Sequence, residues 1–290
     1  MLRNVLCLSA NHWPATPPKL TIMTDQELMA SYVDAWEEAV RNFLAVVRDL
    51  PADKWELPTD LDGWNIKDIV AHTAHLEAVL AGAPEETIEV APAPHLRHLM
   101  SYYTEQGVLA RRDRSMSDLV AEIERAAAVR LKDLRDNPPT DCTLSTRKTP
   151  GDVGWTDERL LSNRPLDVWV HEQDIRRALG VPGGHDSLAA RHVVNVFARG
   201  LPMVIGKKVA PPTGTTIVVE VPAFGVRTET TIGEDGRAAP TSGLAPTATI
   251  TMSPEEFVVA CSGRRAPTDV AVTGDRELAS RVVAGLAMTP

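Results

Sequence analysis

The segment Arg164–Gly180, RPLDVWVHEQDIRRALG, sets Asp167, His171 and Asp174 at intervals of four and three. On a helix that turns about 100° per residue, with Asp167 at zero, His171 falls at about +40° and Asp174 at about −20°. Acid, imidazole and acid therefore share one stripe. Leu160 and Ala178 fall inside that stripe, and Val168, Val170, Ile175 and Leu179 flank it. Glu172 and Arg176 take the opposite side at the spacing of an exposed ion pair. The stripe is expected to face a protein interior, and Glu172 and Arg176 to face solvent.

A second helix, Asn65–Ala81, places His72 on a face it shares with Ile69, Leu76, Val79 and Leu80, with Asp68 and His75 nearer its margin. Lys67, Glu77 and Ala78 are expected to point away. Burying a charge costs several kcal/mol unless it is paired or coordinates a metal. One economical arrangement is a divalent cation held by His72, Asp167 and His171, the way helical bundles build metal sites from facing positions three or four apart. Three nitrogen and oxygen ligands suit Zn²⁺ with a fourth position open, although Fe²⁺, Ni²⁺ or Mn²⁺ also accept such a set. Asp174 then accepts a ring N–H from a ligating histidine. The alternatives are satisfied core histidines, a buried hydrogen-bonded network, or a salt bridge from the acids to Arg130 or Arg177. Asp68 has its own alternative as the helix-capping partner of Asn65.

These residues need elements to position them. Thr24 with Glu27 three residues on forms a capping box, and Leu28, Tyr32, Ala35, Val40, Phe43 and Val47 recur at helical spacing up to about Leu50. Asn65 with Asp68 opens the His72 helix. Further helices are expected near His95–Arg111 and Ser117–Asn137, and the helix of the opening segment is expected from about Thr156 to a C-cap at Gly180. This is an antiparallel bundle of four or five helices. After "VPGGHD" the pattern changes. A helix near Asp186–Ile205 is followed by TTIVVEV and VRTETTI as a hairpin around PAFG, by strands in TATITM and TDVAVTG, by a helix start at Ser253-Pro254-Glu255-Glu256, and by a helix over Arg276–Leu286. The fold class is thus α+β in two domains: a helical bundle over 23–181 and a small α+β domain with a mostly antiparallel sheet over 185–290. Residues 1–22, broken by Pro14, Pro17 and Pro18, read as a poorly ordered leader, with Met23 as a candidate natural start.

The chain has 290 residues and a net charge of −9, which argues against nucleic acid as a partner. No stretch has the length and apolarity of a membrane helix. Cys7, Cys142 and Cys261 are scattered and odd in number, which suits a reducing cytoplasm better than a disulfide framework.

GWNIKDIVAHTAHLEAVLAG followed by RPLDVWVHEQDIRRALG resembles the DinB-like, mycothiol-dependent maleylpyruvate isomerase family of actinobacteria. The matching positions are Gly63, Trp64, Asp68 and His72 on one helix and Asp167, His171 and Asp174 on the other. The ending SGRRAPTDVAVTGDRELASRVVAGL is similar to the family's sterol-carrier-like C-terminal domain. The resemblance implies zinc on His72, Asp167 and His171, mycothiol as the thiol cofactor or co-substrate, and substrate binding by Arg264 or Arg265. One departure is that the best-known members carry Glu where this chain has Asp167, which is one methylene shorter. The implied chemistry is thiolate addition to an electrophilic small molecule, giving either cis–trans isomerisation or S-transfer. Apart from the resemblance, a monomer with no membrane partner is expected. Two other classes fit the same residues: a metal-dependent hydrolase with Asp174 as general base, and a non-enzymatic small-ligand binding protein.

Overall fold

The computed structural model describes residues 3–4, 22–146 and 149–289. Most of the leader reading therefore lies outside the described residues. At its ends, strand β1 (Arg3–Asn4) pairs antiparallel with β2 (Ile22–Met23). The chain divides into two compact units, Met1–Leu57 with Gly63–Ile175, and Pro58–Asp62 with Arg176–Pro290. The short Pro58–Asp62 excursion joins the second unit, where Asp60 accepts from Arg177 Nε at 2.6 Å. Among the described residues, no helix is long and apolar enough to cross a membrane.

The first unit contains α1 (Asp25–Val47), α2 (Ile66–Leu80), α3 (Leu99–Leu109), α4 (Met116–Asp136) and most of α5 (Asp157–Leu179). Both expected capping boxes form: Thr24 and Asn65 each accept from the backbone three residues on, and Glu27 and Asp68 reach back to the cap N–H. The apolar stripe read on α1 is buried at all six expected positions. Gly180, at φ +68°, ends α5 in the left-handed region that glycine enters without cost. There Val181 N–H bonds back to Arg176 C=O at 2.9 Å.

Two facing assignments fail. Glu77 and Ala78 of α2 do not point to solvent, because both are buried. Helix α2 packs on α3 and α4, and Glu77 also bonds to side chains of α1 and α5, so its whole circumference is covered. Glu172 of α5 is likewise fully buried, while Arg176 is half-buried. From Arg164 to Ile175 every α5 residue except Asp167 is buried. A helix enclosed in this way has no solvent face for its charges to mark.

The second unit holds α6 (Leu188–Met203), which runs on through a wider turn at Val204–Val209. It is followed by β3 (Thr216–Val221), β4 (Val226–Ile232), β5 (Ala238–Pro240), β6 (Ala248–Met252), α7 (Pro254–Cys261), β7 (Val270–Gly274) and α8 (Arg276–Ala284). The sheet order is β5-β4-β3-β6-β7, antiparallel throughout except for the parallel β3–β6 pair. Central β3 has Ile217, Val218, Val219 and Val221 buried, with Glu220 alone half-exposed, close to the continuous apolar run of a strand covered on both faces. The β3–β4 hairpin turns at Gly225 with φ +64°. Strand β5 and the parallel pairing were not expected from the sequence. Three residues carry too little alternation to read, and pairing direction is set by the crossover rather than by either strand.

Candidate metal centre

His72 enters the site from the middle of α2, and Asp167 and His171 enter from successive turns of α5. Asp167 Oδ2 lies 3.7 Å from His72 Nε2, and Asp167 Oδ1 lies 3.8 Å from His171 Nε2. One ligand atom from each of the three residues falls within 4.8 Å of the other two. The imidazoles meet edge to face, with centroids 4.9 Å apart, and the Trp64 ring stands 4.9 Å from that of His72. The short side chain of Asp167 thus comes within 3.8 Å of both rings.

Both histidines are buried, and neither ring nitrogen of His72 has a hydrogen-bond partner among the described residues. An imidazole so placed pays for its lost hydration unless something coordinates it. Burial disfavours the imidazolium and holds the His72 pKa below its usual value, although Asp167 pulls the other way. Burial also works against the Asp167 carboxylate. Arg164, followed by His72 and His171, outweighs that and keeps its carboxyl well below the usual carboxylate range. The trio is therefore a neutral, lone-pair-bearing histidine beside an ionised carboxylate, and it fits a divalent cation.

His171 is oriented from behind. Its Nδ1 lies 3.0 Å from Oδ2 of the fully buried Asp174. If the ring proton sits on Nδ1, the Nε2 lone pair faces the trio, the arrangement found for metal-ligating histidines. Asp68 stands differently. Its carboxylate accepts from Asn65 N–H at 3.2 Å and lies 3.6 Å from Arg112, and no hydrogen bond joins it to His72. Burial raises its pKa.

The sequence reading missed the ionic support behind the trio. Among the described residues, Arg130 pairs with Glu77 and not with Asp167. Arg164 pairs with Asp167, through Nη1 at 2.9 Å. The same guanidinium donates from Nε and Nη2 to Glu77 Oε1 at 3.2 and 2.7 Å, and Glu77 also accepts from Arg130 and Trp36. A buried Glu on a helix that already carries an inward histidine was the available signal, and the assumption of a solvent face hid it. On the other side, Trp64 Nε1 donates to buried Glu105 at 2.8 Å, which fixes the indole over His72.

His75, one turn beyond His72, is also buried without a ring hydrogen bond, and burial, aided by Arg111, pushes its pKa down to about 3. It packs against Tyr103 and against the backbone of Gly107. In the second unit, Arg264 donates to Ser262 C=O at 2.9 Å, while Arg265 pairs with Glu256 at 3.3 Å. Arg265 borders a groove of about 730 Å³ between α7, β7 and α8, walled by Val270, Val272 and Val283.

Residues 36–176 match the sequence family described as Mycothiol maleylpyruvate isomerase N-terminal domain, and residues 191–281 match that described as MDMPI C-terminal domain. No curated protein matches the chain. Among solved structures it is similar to one described as the mycothiol-dependent maleylpyruvate isomerase, at 14% identity and a TM-score of 0.54, covering 84% of this chain and 92% of that one. A His-to-Ala mutant of the same enzyme matches at 14% identity and a TM-score of 0.52, with the same coverage. At this identity the likeness establishes a shared fold.

Proposed function

The chain belongs to the mycothiol-dependent maleylpyruvate isomerase family, and from that premise we propose that it is a mycothiol-dependent isomerase whose His72, Asp167 and His171 hold a divalent cation, with Zn²⁺ best suited to the donor set. The observation that carries this reading is the convergence of two buried imidazoles and one carboxylate within 4.8 Å, with both His72 nitrogens otherwise unpartnered. When bound, the cation supplies Lewis acidity that favours the thiolate over the thiol of mycothiol at neutral pH, and reversible thiolate addition to an activated double bond allows cis–trans rotation.

The chain's own residues prepare the site. His72 stays neutral because burial opposes its protonation. Asp174 keeps the proton of His171 on the nitrogen remote from Asp167, leaving the other lone pair available. Trp64, tethered by Glu105, covers one side of the His72 ring and excludes water from it. Arg264 and Arg265 of the second unit remain the candidates for a substrate carboxylate. The buried Cys261 has no part in this chemistry, since burial pushes its thiol further from ionisation.

Elemental analysis of the purified protein beside His72→Ala and His171→Ala, together with a maleylpyruvate isomerisation assay with and without mycothiol, tests the reading. We expect near-stoichiometric metal in the wild type, its loss in both variants, and turnover only with the thiol. A metal-free wild type that still isomerises the substrate overturns it.

A further inference from the structure

Arg164 and Glu77 raise a question that the three ligands do not answer. Four charges alternate in a row, the buried Arg130, Glu77 and Arg164 and then the half-buried Asp167, where the row meets the trio. Glu77 with Arg130 is already a neutral pair, stacked on Trp36 with the Arg130 guanidinium 4.5 Å from the ring. Adding a second buried arginine to that pair costs desolvation, and the further anion it meets among the described residues is Asp167. The guanidinium leaves no freedom in how it meets it. Nε and Nη2 are both committed to Glu77 Oε1, so the plane is fixed, and Nη1 is aimed at Asp167 Oδ2. The carboxylate is thereby held with Oδ1 toward His171 Nε2.

We propose that Arg164, clamped by Glu77, is the positioning residue for Asp167, fixing the rotation of its carboxylate so that a side chain of this length presents an oxygen to a cation between His72 and His171. This rests on the reading of the trio as a cation site. This orienting role is separable from the charge of Arg164, which also keeps Asp167 ionised, because a substitution can keep the charge and lose the geometry. Lysine at the same position keeps the charge but, as a point charge on a flexible stem, cannot hold two carboxylates in a common plane.

The test uses two charge-conserving variants, Arg164→Lys and Glu77→Asp, the second withdrawing the clamp by one methylene. Zn²⁺ affinity is measured by competition with a chromogenic chelator, the visible spectrum is recorded with Co²⁺ as the bound probe, and far-UV circular dichroism checks the fold. We expect at least a tenfold loss of Zn²⁺ affinity in Arg164→Lys, a smaller loss in Glu77→Asp, and a changed Co²⁺ band in both, in line with the effect of partners that orient metal ligands. If Arg164→Lys does not fold, Glu77→Asp alone decides. Affinity within twofold of wild type in folded variants overturns the proposal and leaves the metal reading standing. Weaker binding with an unchanged Co²⁺ band also overturns it, assigning Arg164 to stability alone. A wild type that binds neither Zn²⁺ nor Co²⁺ overturns both.

Discussion

Nδ1 of His171 and Oδ2 of Asp174 lie 3.0 Å apart across one turn of α5, His171 buried and Asp174 fully enclosed by protein. The contact gives the imidazole a fixed ring angle and a preferred tautomer before any ligand arrives. Asp174→Asn keeps the shape but offers an amide whose N–H favours a lone pair on Nδ1, moving the proton to the nitrogen that faces Asp167. We expect about a 10- to 100-fold loss of zinc affinity, read by chelator competition, with isomerase activity falling in parallel. Unchanged affinity would show that His171 needs no such support.

The cysteines give a prediction of the opposite kind. Cys142 and Cys261 are buried thiols outside any disulfide, and burial drives the Cys261 thiol toward the protonated form. A reactive cysteine instead needs exposure and a lowered pKa. Cys142→Ala and Cys261→Ala are expected to keep mycothiol-dependent turnover within about twofold wherever they fold, a margin set by the usual modest cost of small core changes. A loss beyond tenfold in a folded variant would place the nucleophile on the protein.

The parts of this fold that could be read from the chain are those made locally. The Thr24–Glu27 and Asn65–Asp68 caps join residues three apart, and the Gly180 stop lies within one turn of its helix, so each is written in a short window. The inward placing of His72, Asp167 and His171 was legible for a related reason: His72 stood on an apolar face, and the stripe holding Asp167 and His171 was flanked by apolar residues. The support behind them was not legible. Glu77 and Arg164 are separated by 87 positions, and periodicity assigns a lone acid on an apolar helix to solvent. That rule fails for α2 and α5 because neighbours close over their full circumference, which is a property of the packing and not of either helix.

The same buried pair sets the acid sensitivity of the fold. Burial raises the Glu77 pKa, but Arg164 and Arg130 with their hydrogen bonds overcome this and leave it below the ordinary carboxylate value. Asp167 is lowered as well. A depressed carboxylate stabilises the native state above its unfolded pKa, near 4.3 for Glu, and that contribution is lost as pH falls through the folded value. We expect the thermal midpoint to be flat between about pH 6 and 8 as far as these groups are concerned and to fall steeply below about pH 4. Glu77→Gln leaves two buried arginines short of an anion and is expected to cost about 3–5 kcal/mol at pH 7. Its midpoint should fall less steeply on acidification than that of the wild type. A variant with the wild-type acid slope would remove Glu77 from this account.

Gly107 offers a test of how closely α2 and α3 must approach beside the site. A Cβ built there would stand 2.1 Å from Cγ and 2.2 Å from Cδ2 of His75, far inside contact distance, and both residues are buried. Because Gly107 is helical, alanine would gain about 1 kcal/mol of intrinsic propensity if the space existed. Overpacking a filled core typically costs about 1–3 kcal/mol, and here the helices must separate or the His75 ring must turn. Gly107→Ala is therefore expected to lower stability despite its better propensity. His75→Ala removes the ring and leaves a cavity, but it also relieves an imidazole held without a hydrogen-bond partner. In the double variant the new methyl occupies part of that cavity, so the two changes should be less costly together than the sum of each alone. A chemical-denaturation cycle over the four proteins measures this coupling directly. Additive costs would mean that α3 moves away as a unit, and that His75 does not set the spacing between the two helices.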